Sequence, residues 1–191
     1  MKFAAVFLDR DGTINEDPGY LGEPDKVKLF PGVAKALSYL KNELNFLLIV
    51  ISNQSGIARG LITKDKVDKV NKRINDILLN DNVSIDAFYY CPSHPDFNAP
   101  EECACRKPSP KLVFDAAKEM EIDLSLSYFI GDTVADIECG KNAGLKTILV
   151  KTGNGEESIS ILQKQKNFPS FVAENLTDAC NFIYKDFTGV N

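Results

Sequence analysis

No apolar stretch in this chain approaches the roughly 20 residues that a bilayer-crossing helix needs, so a membrane-spanning role is set aside. Positive charge is not in excess either: 22 Lys and Arg stand against 27 Asp and Glu, a formal charge of −5. That balance argues against a nucleic-acid partner. It also requires any anionic ligand to be met by a local cluster of bases, because the overall field opposes it. Internal repeats, low-complexity tracts and a chain-splitting linker are all missing, so residues 1–191 are expected to form a single domain, most simply a monomer. Residues 1–8 hold one lysine and an apolar run too short for a signal segment, with no small-residue cleavage site, and a cytoplasmic location is expected. In that compartment the five cysteines are expected to be free, catalytic or metal-bound rather than paired.

The chain does contain short apolar runs set between amphipathic stretches. Residues 3–8, 46–51, 87–90, 128–130 and 147–150 read as strands, with a weaker one at 171–172. Several are β-branched or aromatic on both faces, as in a sheet covered on both sides. Helical patterns occupy 31–44, 63–79, 110–121, 134–142 and 175–184. Pro31 and Pro110 suit a first helical turn, Thr63 an N-cap and Gly144 a stop. This alternation predicts an α/β fold with a doubly wound, mainly parallel sheet. Two aperiodic segments interrupt it, at 15–30 and 91–110. Both follow strands, and loops at the carboxyl ends of parallel strands are where such sheets bind ligands.

Phe7-Leu8-Asp9-Arg10-Asp11-Gly12-Thr13 carries the most information. A turn alone would account for D-x-D-G. Behind a buried strand, however, uncompensated acids are costly, and a pair two residues apart places one carboxylate to attack and the other to handle a proton. Three further polar stations follow in order, each just beyond a strand or before a helix. Ser52 closes Ile49-Val50-Ile51-Ser52, Lys107 lies in Cys105-Arg106-Lys107-Pro108, and Asp132 and Asp136 follow Ile130-Gly131. Together these motifs resemble the haloacid dehalogenase superfamily of phosphotransferases, a resemblance that covers residues 1 to about 150.

The resemblance implies a magnesium-dependent phosphatase. Asp9 is then the nucleophile, and Mg²⁺ is held by Asp9, Asp132 and the backbone carbonyl of Asp11, a hard oxygen set. Lys107 and the Ser52 hydroxyl hold the phosphoryl group, and the amides after Asp9 cradle its other oxygens. Asp11 protonates the leaving oxygen and then deprotonates the water that hydrolyses the aspartyl-phosphate, for which a raised pKa is expected from its acidic neighbours. Asp136 either anchors the loop or caps the following helix. No insertion is long enough for a large cap domain.

Cys91-Pro92-Ser93-His94 and Cys103-Ala104-Cys105 bring three cysteines and the sole histidine within fifteen positions, which predicts a structural zinc on Cys91, His94, Cys103 and Cys105. With the Cys-Arg-Lys-Pro sequence that follows, this loop is similar to the branch acting on D-glycero-D-manno-heptose 1,7-bisphosphate, and to relatives acting on histidinol phosphate. Those relatives place the ligand histidine where this chain has Ser93, and often a basic residue where it has Thr133. Asn53-Gln54-Ser55-Gly56-Ile57-Ala58-Arg59-Gly60 and Asp17-Pro18-Gly19-Tyr20 favour the heptose branch. The implied substrate contacts are Asp17, Gly19, Tyr20, Asn53, Gln54, Ser55, Arg59 and Arg106, and the implied reaction is removal of the 7-phosphate.

Two readings of other classes compete. A signalling receiver domain also joins acids, a hydroxyl, a lysine and Mg²⁺, but its phosphorylated aspartate ends the third strand, where this chain has Cys91-Pro92-Ser93-His94. A non-catalytic zinc-loop module would not need Asp9, Asp11, Ser52, Lys107 and Asp132 all intact.

Overall fold

A computed structural model describes residues 2–190. Six parallel strands form one sheet: β1 (Ala5–Leu8), β2 (Leu47–Asn53), β3 (Ala87–Cys91), β4 (Tyr128–Gly131), β5 (Lys146–Val150) and β6 (Phe171–Ala173), in the order β3-β2-β1-β4-β5-β6. The helices are α1 (Val33–Asn42), α2 (Lys64–Leu78), α3 (Lys111–Glu119), α4 (Val134–Asn142), α5 (Gly155–Gln165) and α6 (Leu176–Thr188). None of them is long and apolar enough to cross a membrane.

The period of two in each strand sorts side chains to opposite faces. Val6, Leu8, Leu48, Val50, Ile130 and Ile148 pack with α1, α2 and α6 through Leu37, Leu40, Ile74 and Ile183. Phe7, Ile49, Ile51 and Phe129 turn the other way, onto Val113 and Ala116 of α3 and Cys139 of α4. Leu149 meets Ile137 of α4 and Leu162 of α5. Burial on both faces explains why the strands read as unbroken apolar runs.

The helices after β1 and β2 lie on one face and those after β3 and β4 on the other. The winding therefore reverses between β1 and β4, which are hydrogen-bonded neighbours with Leu8 opposite Ile130. In such sheets the cleft at the carboxyl ends beside the reversal is the binding site, and here it is bounded by residues 9–32 and 92–110. Thr63 caps α2 as expected, accepting from Lys66 N. Pro31 and Pro110 precede their helices rather than opening them: Gly32 and Pro110 are the N-caps. α5 was not expected. Among its residues only Gly155, Ser158 and Leu162 are buried, too few apolar positions to show a helical period.

Candidate active site

Asp9 sits one residue beyond β1, its N–H donating to Ile130 O at 2.9 Å. Its carboxylate Oδ1 accepts from Lys107 Nζ at 2.6 Å. The same ammonium donates to Ile51 O at 2.8 Å and forms an ion pair with Asp136 Oδ1 at 2.6 Å. Asn53 grips the lysine backbone on both sides, accepting from Lys107 N at 3.0 Å and donating to Lys107 O at 3.2 Å. Lys107 is thereby carried from a distant loop to the tip of β1. Burial works to deprotonate it, but the charges of Asp136 and Asp9 outweigh that and raise its pKa.

Asp132 is fully buried behind Asp9. Its Oδ1 accepts from Thr13 Oγ1 at 3.2 Å, and its Oδ2 from Asn154 N at 2.8 Å and Asn154 Nδ2 at 3.1 Å. A Cβ on Gly12, whose φ is +87°, would lie 2.3 Å from Asp132 Oδ2, so only glycine admits this approach. Burial first, then the charge of Asp136, pushes the Asp132 carboxyl up to about 6. Burial likewise holds Asp9 well above the usual carboxylate range, with Lys107 opposing and Asp136 and Asp132 reinforcing the rise.

Oxygens of Asp9, Asp132 and Asp136 lie within 4.8 Å of one another. When ionised, these three carboxylates and one ammonium leave a buried net charge of −2, which is costly unless compensated. An all-oxygen set with that deficit fits Mg²⁺. Asp136 is already engaged by Lys107 and by a capping box with Thr133, in which Thr133 N and Oγ1 donate to Oδ2 at 2.9 and 2.6 Å. Both oxygens of Asp136 are thus engaged, whereas Asp9 Oδ2 and the Asp11 carbonyl accept from no described donor and could hold a cation together with Asp132.

Asp11 departs from its expected state. Its carboxylate accepts from Arg10 Nη2 at 2.8 Å, Asn15 Nδ2 at 2.9 Å and Gln54 Nε2 at 3.0 Å, with Arg10 Nε at 3.2 Å from both oxygens. Arg10 is fully buried and fixed from behind by Asn71 Oδ1 at 2.9 Å. Burial would raise the Asp11 pKa, but the Arg10 charge and these hydrogen bonds bring it below the ordinary carboxylate value. The expectation of a raised pKa is corrected, because the residue between the two acids faces Asp11 rather than solvent.

Asp9, Asp11, Ser52 and Lys107 line one cavity of about 530 Å³, together with Asp17, Gly19, Tyr20, Asn53, Gln54, Ser55 and Arg106. Asp17 is partly committed, since its Oδ1 accepts from Gly19 N at 2.8 Å. Arg59 does not reach the lining. Its guanidinium lies 5.2 Å over Phe97, and Nη2 is 2.9 Å from His94 Nε2.

The expected zinc set is not assembled. Cys91 and Cys105 are joined in a disulfide, Cys103 is free, and His94 faces Arg59. Two of the four donors are thus bonded to each other, and one imidazole nitrogen lies against a guanidinium, so the arrangement of Cys91, His94, Cys103 and Cys105 does not fit zinc. The expectation that the cysteines are unpaired is corrected for Cys91 and Cys105, while Cys103, Cys139 and Cys180 are free. Arg106 Nη1 donates to Ser93 O at 3.3 Å, which fixes the arginine beside the cavity.

Thr13, Asn15, Asn71 and Asn154 belong to the site and were not foreseen. Asn154 lies 22 residues beyond Asp132, in the loop after β5, and no motif marks it. Thr13 and Asn15 adjoin the acidic pair, and their proximity was the only available signal.

The fold and site define the class of haloacid dehalogenase-like hydrolases, and a family model described as "HAD-hyrolase-like" matches residues 104–179. The chain is 43% identical over 183 residues to the D-glycero-D-manno-heptose-1,7-bisphosphate 7-phosphatase of Chlorobaculum tepidum, covering 91% of this chain and 90% of that protein. It is 37% identical to the D-glycero-beta-D-manno-heptose-1,7-bisphosphate 7-phosphatase of Escherichia coli (strain K12), covering 95% and 94%. Among solved structures, D,D-heptose 1,7-bisphosphate phosphatase from B. bronchiseptica, complexed with magnesium and phosphate, matches with a TM-score of 0.84 at 30% identity, over 97% of this chain and 99% of that one. The chain belongs to the D-glycero-D-manno-heptose-1,7-bisphosphate 7-phosphatase family.

Proposed function

We propose that this chain removes the 7-phosphate of D-glycero-D-manno-heptose 1,7-bisphosphate through an aspartyl-phosphate on Asp9. The observation that carries the reading is the convergence of Asp9, Asp11, Ser52 and Lys107 on one cavity, with Asp132 directly behind.

Lys107 fixes Oδ1 of Asp9 and leaves Oδ2 to attack phosphorus. Bound magnesium supplies positive charge that offsets the repulsion between carboxylate and phosphate. The Ser52 hydroxyl donates to a phosphoryl oxygen beside the positive charge of Lys107, and the Arg10 and Asp11 amides, which have no described acceptor, complete the cradle. The incoming phosphate adds negative charge beside Asp11 and favours its protonated form, which then donates to the departing sugar oxygen. Having given up that proton, Asp11 is a carboxylate held in place by the Arg10 clamp, the base that takes a proton from the hydrolytic water. Arg106 at the cavity wall meets the second phosphate with a two-pronged guanidinium, and Asp17, Tyr20 and Ser55 meet sugar hydroxyls. A zinc-bound form of the loop would require the Cys91–Cys105 bond to be reduced and His94 to leave Arg59, and none of these steps depends on it.

The test is magnesium-dependent phosphate release compared across heptose 1,7-bisphosphate, histidinol phosphate and fructose 1,6-bisphosphate, with Asp9→Asn as control. The heptose should give the highest kcat/KM and Asp9→Asn no release. A preference for histidinol phosphate would overturn the substrate, and undiminished release by Asp9→Asn would overturn the mechanism.

A further inference from the structure

Gln54 lies one residue beyond β2, is nearly fully buried, and is pinned by its own N–H to Cys91 O at 2.8 Å. Its side-chain nitrogen is 2.7 Å from Ser52 Oγ and 3.0 Å from Asp11 Oδ2. A primary amide nitrogen carries two hydrogens, and these two acceptors use both. Rotating the amide by half a turn would set its carbonyl oxygen against the ionised Asp11 oxygen, so the charges select the orientation found.

This geometry has a consequence for each neighbour. Ser52 Oγ accepts from Gln54, so its proton cannot go to that side chain and is directed elsewhere around the oxygen, into the cavity that Ser52 lines. Asp11 receives on Oδ2 a neutral donor beside the Arg10 charge, from the strand on the opposite side of the clamp. Gln54 keeps only Oε1 for a ligand, and so can accept from a substrate hydroxyl but cannot donate to one.

We propose that Gln54 is a positioning residue, whose one amide nitrogen both directs the Ser52 proton toward the phosphoryl group and holds the Asp11 carboxylate in register for proton transfer. The inference rests on the phosphatase reading above and extends it, because a single side chain then couples the group that holds phosphate to the group that moves the proton.

Gln54→Glu is the informative variant. It keeps the size and buries a carboxylate that accepts the Ser52 proton and repels Asp11. Gln54→Leu merely removes the donor. A buried carboxylate also costs stability, so the two variants are compared by kcat per folded molecule, where positioning makes the near-isosteric change the worse one. With heptose 1,7-bisphosphate, kcat should fall by about tenfold in Gln54→Leu and by about a hundredfold in Gln54→Glu, with KM changed by less than about threefold. In a Ser52→Ala background the loss from Gln54→Leu should shrink to about threefold or less, the non-additivity expected of groups acting as one unit. Should Gln54→Glu fail to fold in a thermal melt, the Gln54→Leu and Ser52→Ala cycle decides alone. Gln54→Glu as active as wild type, or additive losses in the cycle, would overturn the proposal. Wild-type protein that released no phosphate from heptose 1,7-bisphosphate with magnesium would instead overturn the phosphatase reading beneath it, so the two failures are distinguishable.

Discussion

Lys107 shows how few charges govern this site. It answers both Asp9 and Asp136 with one ammonium, while Asp132 is held by the neutral donors Thr13 and Asn154. Gly12 keeps that arrangement compact. In Gly12→Ala the new methyl would meet Asp132 Oδ2 at 2.3 Å, on a backbone already at φ +87°, and Asp132 must move away from Asp9. Activity titrated with magnesium should then show half-saturation raised by about tenfold or more, the scale on which metal sites respond to displaced supports. An unchanged magnesium curve would mean that Asp132 does not face the cation. Residue by residue, the sequence disclosed what its motifs carried: Asp9, Asp11, Ser52, Lys107 and Asp132 stand at recognisable stations, each just past a strand. It hid what depends on side-chain direction. Arg10 reads as a spacer between two acids, yet it is the buried guanidinium that lowers the Asp11 pKa. His94 reads as a ligand, yet it lies against Arg59.

The same division appears among the elements. All six strands were legible: β1, β2, β4 and β5 because burial on both faces makes each an apolar run, and the partly exposed edge strands β3 and β6 from their aromatic and β-branched residues. Five helices were legible from the chain, and α5 was not, since its buried positions are Gly155, Ser158 and Leu162 and only the last of them is a large apolar residue. How α6 docks was hidden as well. Asp186 near its end accepts from Tyr128 OH at 2.5 Å and Lys146 Nζ at 2.6 Å, tying the helix to β4 and β5 across 58 and 40 residues of sequence. Burial acts to raise the Asp186 pKa, but the Lys146 and Tyr128 bonds hold it below the ordinary value. A depressed carboxylate contributes stability that is present above its unfolded pKa of about 3.9 and is lost as pH falls through the folded value. Asp186→Asn should therefore lower unfolding free energy by about 1 kcal/mol near neutral pH in urea melts. The gap between variant and wild type should narrow as pH falls through the folded-state value, which lies below the ordinary carboxylate one, and the wild-type carboxyl is protonated. A gap unchanged across that acid titration would show that the charge of Asp186 contributes nothing.

Across the whole molecule, the reversal of winding beside β1 decides where chemistry can occur. It opens a cleft at the carboxyl ends, and the loops after β1, β2, β3, β4 and β5 each send a polar group into or behind it: Asp9, Gln54, Lys107, Asp132 and Asn154. No single element contains the site, so mutual positions had to come from the fold, while the identities could be read along the chain. Receiver-type signalling is excluded by the same topology, because β3 ends in Cys91 rather than an acid, and the acidic pair ends β1. The account rests on a phosphoryl group passing through Asp9. Quenching the enzyme in acid during turnover, reducing the acyl phosphate with borohydride and sequencing by mass spectrometry tests this directly. Asp9 should be recovered as homoserine in a substrate-dependent manner. Steady turnover with Asp9 unaltered, or with the modification on another carboxylate, would contradict the mechanism.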